Sequence, residues 1–349
     1  MSSPYYLLTI REVREEVPGV KSFVLEPNDG QQLTYAAGQY LTLVQEQYSR
    51  EIRRSYSISS APALDELLTL TIKRLDNGLL SRQLVDRAQV GDELRTLGAA
   101  GFFTLPLDLA TSYDQLIFLA AGSGITPISS LLKTVLHMVP QVRVLLIYSN
   151  QRPASTIFLT ELRELARQFP AQLHLELLFS ENHYLARTRL HKELLKELVA
   201  QYAPAPAART LAYLCGPLAY MRMGTYGLHE AGLPLAQIRR ELFNPITATV
   251  PHSIPPDTEP HTVTIRLRGQ EHKVEVQYPR TILQAARQQG LTLPYSCEAG
   301  SCGNCAARCT QGQVWMSVND VLTEREMARG LVLTCTGYPI GTEKVQLDY

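Results

Sequence analysis

Four cysteines, Cys297, Cys302, Cys305 and Cys335, stand as Cys-x4-Cys-x2-Cys followed by one distant thiol. Thiolates hold a 2Fe-2S cluster with this spacing, so the segment must fold as a tight loop around iron and sulfide, with Cys335 closing the shell from elsewhere. Between the first three cysteines, Gly300 and Gly303 and small neighbours stand where backbone must pass close to inorganic sulfide. A zinc site or a disulfide framework also uses cysteine. Zinc ribbons favour paired Cys-x2-Cys units, however, and only one such pair sits inside this unequal trio. The spacing predicts an electron-carrying module. Of the other two thiols, Cys309 reads as a small buried hydrophobe and Cys215 lies far upstream.

At 349 residues the chain is long for one core, and two or three domains are expected. Lys plus Arg and Asp plus Glu both number 33, a balance that argues against nucleic acid or an anionic membrane as partner. No run of about 18 apolar residues occurs, and Met1-Ser2-Ser3-Pro4 lacks the basic and apolar regions of a signal peptide. Six cysteines, four of them reserved for iron, suit a reducing compartment, so a soluble cytoplasmic protein is expected. Asn244 to His261 holds five prolines without helical or strand period and reads as an interdomain linker over 244–260.

From residue 5 to about 107, short alternating or apolar runs at 6–10, 20–25, 40–44, 55–59 and 68–73 are split by Gly, Pro, Asn and Asp, the pattern of an all-β barrel or sandwich. Strand alternation in Arg53-Arg54-Ser55-Tyr56-Ser57 sends Arg54 and Tyr56 to one face. An arginine there can clamp a phosphate and a tyrosine ring can lie against a planar cofactor; an ordinary strand with a surface arginine fits the same residues. Gly78-Leu79-Leu80-Ser81 follows the Asp76-Asn77 turn and is expected to open a helix reaching Val85, whose first amides suit a pyrophosphate.

Near Gln115 the period changes. An apolar strand over 116–120 runs into Gly122-Ser123-Gly124-Ile125-Thr126-Pro127 and a helix over 128–138. Further buried strands at 142–148, 173–179 and 211–214 alternate with helical stretches at 155–167 and 190–200. The pattern predicts a parallel α/β sheet with a dinucleotide-type turn, although Gly-x-Gly-x-x-Pro lacks the third glycine of the usual fingerprint. Cys215-Gly216-Pro217 falls at the carboxyl edge of a strand, where such sheets bind ligands. Cys215 fits a place beside a nicotinamide ring and equally fits a buried strand end before a turn. Arg239-Arg240-Glu241-Leu242-Phe243 leaves the last strand with an aromatic at its tip, which core packing alone would also explain.

These pieces in this order resemble the ferredoxin-NADP reductase superfamily with a C-terminal plant-type ferredoxin, the arrangement of reductase components of multicomponent oxygenases, and the resemblance spans nearly the whole chain. Within it, Leu293-Pro294-Tyr295-Ser296-Cys297 and Gly312-Gln313-Val314-Trp315-Met316 are most similar to the family of phenylacetyl-CoA epoxidase reductase subunits. The resemblance implies a multidomain fold: an antiparallel β-barrel FAD domain at 1–108, an α/β parallel-sheet NAD(P) domain at 109–243, and an α+β (β-grasp) 2Fe-2S ferredoxin domain at 261–349. It implies that Arg54 holds the FAD pyrophosphate, that Tyr56 lies against the flavin and that the Ser57 hydroxyl sits near N5. Gly78, Leu79, Leu80 and Ser81 would also hold the FAD pyrophosphate, and Gly122, Gly124, Thr126 and Pro127 the nicotinamide dinucleotide. Cys215, Gly216 and Pro217 would line the hydride-transfer pocket, with Ser57, Tyr56 and Cys215 as its catalytic residues, and Phe243 would shield the flavin. Ser180-Glu181 stands where NADPH-preferring members often carry Ser-Arg, and a carboxylate repels a 2′-phosphate. Arg152, Arg187 and Arg189 supply positive charge nearby in sequence, so both NADH and NADPH are open as donors.

The expectation is an NAD(P)H oxidoreductase. NAD(P)H gives two electrons as a hydride, a 2Fe-2S cluster takes one at a time, and FAD converts between the two. Hydride transfer needs no general base, and the eight histidines are scattered. The expected acceptor is an oxygenase or desaturase component. A free ferredoxin or another redox protein is the alternative, and a non-catalytic iron-sulfur sensor is the competing class. Residues 261–349 carry eight acidic and nine basic side chains, so tethering rather than charge steering would bring flavin and cluster together.

Overall fold

Pro18-Gly19 turns β1 (Tyr6–Val17) into β2 (Val20–Pro27), with Gly19 at φ 77 in the left-handed position that a two-residue turn needs. The strands β3 (Tyr40–Gln47), β4 (Arg50–Ser57), β5 (Thr69–Lys73) and β6 (Glu93–Ala100) complete a sheet of order β4-β3-β6-β1-β2-β5, antiparallel throughout. An Ile58–Leu70 bridge and a bond from the Ser59 N–H to the Thr69 carbonyl join the two edges, closing the sheet into a barrel. Alternation turns Leu8, Ile10, Phe23, Leu41 and Leu70 inward, and α1 (Leu79–Arg87) adds Leu80 and Leu84 to that core. Each such side chain, fully buried, contributes about 1.5–3 kcal/mol relative to exposure.

This computed structural model describes residues 5–28, 33–47, 50–181, 187–243, 254–267 and 269–349, and the chain forms two units, Met1–Glu241 and Leu242–Tyr349. Most of the proline-rich segment, 244–253, lies outside the described residues.

After α2 (Leu109–Ser112), the first unit continues as β7 (Gln115–Ala121), α3 (Ile125–Met138), β8 (Arg143–Asn150), α4 (Leu159–Gln168), β9 (Leu173–Phe179), α5 (Lys192–Tyr202), β10 (Thr210–Cys215), α6 (Leu218–Glu230) and β11 (Ile238–Glu241). Its sheet, of order β11-β10-β7-β8-β9, is parallel at every pairing. The continuous apolar runs of β7, β8 and β10 are buried, as strands covered on both faces must be. The chain leaves β7 toward β8 and β9 and returns on the other side with β10. The crevice between the carboxyl ends of β7 and β10 is thus the switch point. Helix α3 starts at Ile125, three residues before the sequence pattern suggests, because Pro127 sits in the first turn, where its missing N–H has no intrahelical acceptor to lose. Helix α4 starts later than expected because Pro153–Ser155 forms a separate 3-10 turn.

In the second unit, β12 (His261–Leu267), β13 (Gln270–Val276), α7 (Ile282–Gln288), β14 (Ala306–Gln311), β15 (Gln313–Met316), α8 (Glu324–Ala328), β16 (Leu331–Leu333), β17 (Gly337–Ile340) and β18 (Val345–Asp348) build a mixed sheet of order β13-β12-β18-β14-β16 and a β15–β17 ribbon. Helix α7 is opened by a Thr281/Gln284 capping box and buries Ile282, Leu283, Ala285 and Ala286 against this sheet, the β-grasp arrangement.

Candidate functional site

At the switch point two turns meet backbone to backbone. A Cβ on Gly124 would lie 2.1 Å from the Cys215 carbonyl oxygen, and one on Gly216 would lie 2.9 Å from the Ala121 Cβ. Gly122 differs: its φ of 54 is left-handed, but open space surrounds it. The Tyr148 hydroxyl donates to the Gly122 carbonyl at 3.0 Å and the Thr126 hydroxyl to that of Ser123 at 3.1 Å, fixing the turn ahead of Pro127. Gly124→Ala is therefore expected to cost about 1–3 kcal/mol by overpacking against immovable backbone, and Gly122→Ala about 1–2 kcal/mol by conformation alone. Urea unfolding measures both, and a loss for Gly124→Ala no larger than that for Gly122→Ala would contradict the packing argument.

The parallel register of β10 and β11 sets Glu241 beside Cys215, and the Ser57 hydroxyl at the end of β4 donates to Glu241 Oε2 at 3.0 Å. Burial, with Glu241 nearby, pushes the Cys215 thiol well above its usual range. Glu241 keeps partial access to solvent as a residue, while the enclosure of its carboxyl raises the pKa to about 8, against a lowering pull from the Ser57 hydrogen bond. Sequence reasoning places Glu241 only as part of the last strand. Its signal is a carboxylate at a strand end, and only the strand pairing reveals its neighbours.

Tyr56 packs on the barrel core, and burial raises its phenol. Arg54, on the same face, is exposed and donates to the Arg53 carbonyl at 2.7 Å. Gly78 caps α1, whose first-turn amides have no intrahelical acceptor, and Leu79 is 45% exposed beside the buried Leu80 and Ser81. The Ser81 hydroxyl takes the Leu75 N–H at 3.2 Å and points back at the Gly78 carbonyl, which holds this turn closed.

Pro217 precedes α6, so Cys215-Gly216-Pro217 joins strand to helix as a turn at the carboxyl edge. Arg152 is exposed, and its carbonyl accepts from the hydroxyls of Ser155 and Thr156. Arg187 is engaged by Glu176 at 3.3 Å and Glu197 at 3.7 Å. The N–H groups of Ser180 and Glu181 donate to the carbonyls of Asn150 and Gln151, drawing the ends of β8 and β9 together. Three polar side chains that sequence reasoning missed, Ser149, Asn150 and Tyr220, are buried here; Ser149 faces the Tyr220 hydroxyl and Asn150 that of Tyr148. Polar side chains gathered at a switch point fit a polar ligand such as a dinucleotide. Phe243 falls in the second unit and is 42% exposed.

In the second unit the four thiols converge. Cys297 contacts Cys302 and Cys335, and Cys335 contacts Cys305. Contacts with Cys302 and Cys335 favour the thiolate at Cys297. The loop bends through left-handed residues at Glu298 (φ 54), Gly300 (φ 74) and Gly303 (φ 77). A Cβ on Gly300 would lie 2.7 Å from the Val318 carbonyl oxygen. The Ala299 N–H points at the Cys297 sulfur at 3.4 Å, and the buried Ser301 hydroxyl finds no oxygen or nitrogen partner. Arg287 of α7 holds Glu298 by two contacts of 3.0 and 3.1 Å, while the Thr334 hydroxyl ties the neighbour of Cys335 to the Cys305 carbonyl at 3.0 Å. Among the described residues, no three His, Cys, Asp or Glu side chains gather tightly enough to chelate a single ion. Thiols in two linked pairs, with amides and a hydroxyl turned to sulfur, fit a two-iron cluster. Cys309 corrects an expectation: it is only half-buried, and its thiol donates to the carbonyls of Gln311 at 3.3 Å and Gly312 at 3.6 Å.

Residues 8–105 match the family described as oxidoreductase FAD-binding domain, 118–225 the oxidoreductase NAD-binding domain and 265–339 the 2Fe-2S iron-sulfur cluster binding domain. The chain is 35% identical over 357 residues to the ferredoxin reductase component of 3-ketosteroid-9-alpha-monooxygenase from Mycolicibacterium smegmatis, covering 98% of this chain and 96% of that one. It is 30% identical over 351 residues to a component of the 1,2-phenylacetyl-CoA epoxidase of Escherichia coli, covering 99% and 98%. Phthalate dioxygenase reductase shares the fold across 100% of both chains, with TM-score 0.60 at 21% identity.

Proposed function

The chain belongs to the family of FAD- and 2Fe-2S-dependent reductase components of oxygenase systems, and from that membership we propose the roles of its residues and the kind of partner it serves. It is an oxidoreductase that passes electrons from NAD(P)H through FAD to a 2Fe-2S centre. When bound, the flavin supplies the change from two-electron hydride chemistry to the one-electron traffic of the cluster. Arg54 and the amides at Gly78, Leu79, Leu80 and Ser81 would hold the FAD pyrophosphate, and Tyr56 would lie against the ring. The turn of Gly122, Gly124, Thr126 and Pro127 would take the dinucleotide, with Arg152 at its rim, and Cys215, Gly216 and Pro217 would border the nicotinamide. Ser57 would offer its hydroxyl at flavin N5, Glu241 would orient that hydroxyl, and Phe243 would cover the ring. Cys297 and Cys302 would hold one iron, Cys305 and Cys335 the other. We place the domains at 1–108, 109–243 and 261–349 with a 244–260 linker. The observation that carries the reading is the Ser57–Glu241 bond, which joins the end of the barrel strand to the carboxyl edge of the parallel sheet beside Cys215.

NADH is the donor we expect. Glu181 follows the end of β9, and Arg187 is already engaged by two glutamates, so a 2′-phosphate would meet a carboxylate with only Arg152 and Arg189 to offset it. Stopped-flow reduction should favour NADH over NADPH by at least about tenfold in rate over affinity, and Glu181→Arg should shift the ratio toward NADPH. Equal use of both nucleotides would overturn the assignment.

The partner would be an oxygenase component, of the phenylacetyl-CoA epoxidase or ketosteroid monooxygenase kind served by the relatives above, and the terminal substrate is recognised there. A cytoplasmic setting is supported by six unpaired cysteines, and among the described residues no helix is long and apolar enough to cross a membrane.

A further inference from the structure

Among the described residues, Arg53 and Lys133 are the charged ones buried as whole residues, each 8% exposed. Arg53 pairs with Glu51 two positions back on its own strand. Lys133 reaches further: from α3 its Nζ lies 2.7 Å from Glu66 Oε2, beyond β4, and 3.5 Å from Glu161 Oε1 on α4. The same Glu66 oxygen accepts the Ala61 N–H at 2.7 Å, so Lys133 grips a loop that is already folded on itself. One turn earlier on α3, the Ser130 hydroxyl donates to the Ser60 carbonyl at 2.6 Å. The Ser60 hydroxyl is in turn bonded to the Tyr35 hydroxyl and the Thr69 N–H.

Segment 60–66 begins three residues after Ser57, and α3 begins at the Gly122–Pro127 turn. The helix is thus a strut between the dinucleotide turn and the flavin strand. Midway, Leu131 packs so closely on Gly38 that a Cβ there would lie 2.9 Å from its Cδ2. Apolar contacts alone let packed elements slide by small amounts, whereas a buried ion pair with further hydrogen bonds tolerates one register. We propose that Lys133 is a positioning residue for hydride transfer, its ion pair with Glu66 fixing the Ser57 end of β4 against the Gly122–Pro127 turn. The inference rests on the assignment of those two elements to flavin and nicotinamide given above.

The test uses the full chain loaded with FAD, mixed anaerobically with NADH in a stopped-flow instrument, as wild type, Lys133→Met, Glu66→Gln and Lys133→Arg. Hydrogen exchange over 58–66 is followed in parallel. In Lys133→Met and Glu66→Gln we expect unchanged FAD content and NADH affinity, a limiting rate of flavin reduction lower by about 10–100-fold, and faster exchange over 58–66. Lys133→Arg should restore most of the rate. Glu66 is 33% exposed at its side chain, so Glu66→Gln carries the test should Lys133→Met not fold. A wild-type limiting rate in either folded variant, or a loss traced wholly to FAD or NADH affinity, would overturn the proposal. A wild-type protein that NADH does not reduce would instead overturn the functional assignment beneath it.

Discussion

Cys335→Ser is expected to abolish the iron-sulfur cluster while NADH still reduces the flavin. Cys335 is buried, and its thiol touches both Cys297 and Cys305, so its loss opens the shell at the point where the two pairs of thiols join. Folding of the loop and binding of the cluster are coupled, and a hydroxyl is a poor replacement for a thiolate toward iron. The first unit, Met1–Glu241, contains every residue proposed for FAD and NADH except Phe243, so its chemistry should survive. Electron delivery to cytochrome c should fall by more than about 100-fold, the upper end of what loss of an outer partner costs a metal site. Reduction of ferricyanide directly from the flavin should persist. Cys309→Ser is the control, since its thiol bonds to the carbonyls of Gln311 and Gly312 rather than to the other cysteines. A variant at position 335 that keeps its cluster would contradict the ligand assignment.

Ser57→Ala is expected to slow flavin reduction by NADH by about 100-fold, as when an oriented donor is removed from a reacting centre. In the proposed arrangement, Glu241 would decide when that donor is available. With a proton on its carboxyl, Glu241 can donate to Ser57 Oγ and release the hydroxyl hydrogen toward the flavin. Once ionised, it accepts that hydrogen and holds it. Since burial raises the carboxyl to about 8, the rate should decline above that pH. Glu241→Gln, which donates like the protonated acid, should keep most of the rate and lose this decline. Stability follows the same group: the unfolded chain ionises at the ordinary carboxyl value of 4.5 and the folded one near 8, so between them the native state holds the extra proton. Wild-type stability should therefore fall as pH rises through that window, relative to Glu241→Gln, and level off above it. Parallel pH profiles for the two proteins, in rate and in melting temperature, would remove Glu241 from the account.

The cluster loop is legible in the sequence because three of its thiols lie within nine residues, from Cys297 to Cys305, and that spacing favours an iron-sulfur cluster over zinc or disulfides. The turns at Gly122–Pro127 and Cys215–Pro217 were legible because each follows a continuous apolar strand. Glu241 was not, since it meets Ser57 across 184 residues and Cys215 through strand register. Lys133 reads as an ordinary helix lysine until the loop 67 residues upstream is seen to cover it. Arg187 looked available for a phosphate, and only the fold shows Glu176 and Glu197 holding it. Cys309 reads as a core residue from composition, whereas the turn at Gly312 leaves its thiol half-open. What sequence could not supply was the pairing of side chains distant along the chain.

The most direct test of the electron path is anaerobic addition of NADH to the purified protein, following flavin absorbance together with the electron paramagnetic resonance signal of the cluster. The account predicts that flavin bleaching is accompanied by the spectrum of a reduced 2Fe-2S centre. A bleached flavin beside a cluster that stays oxidised would contradict it.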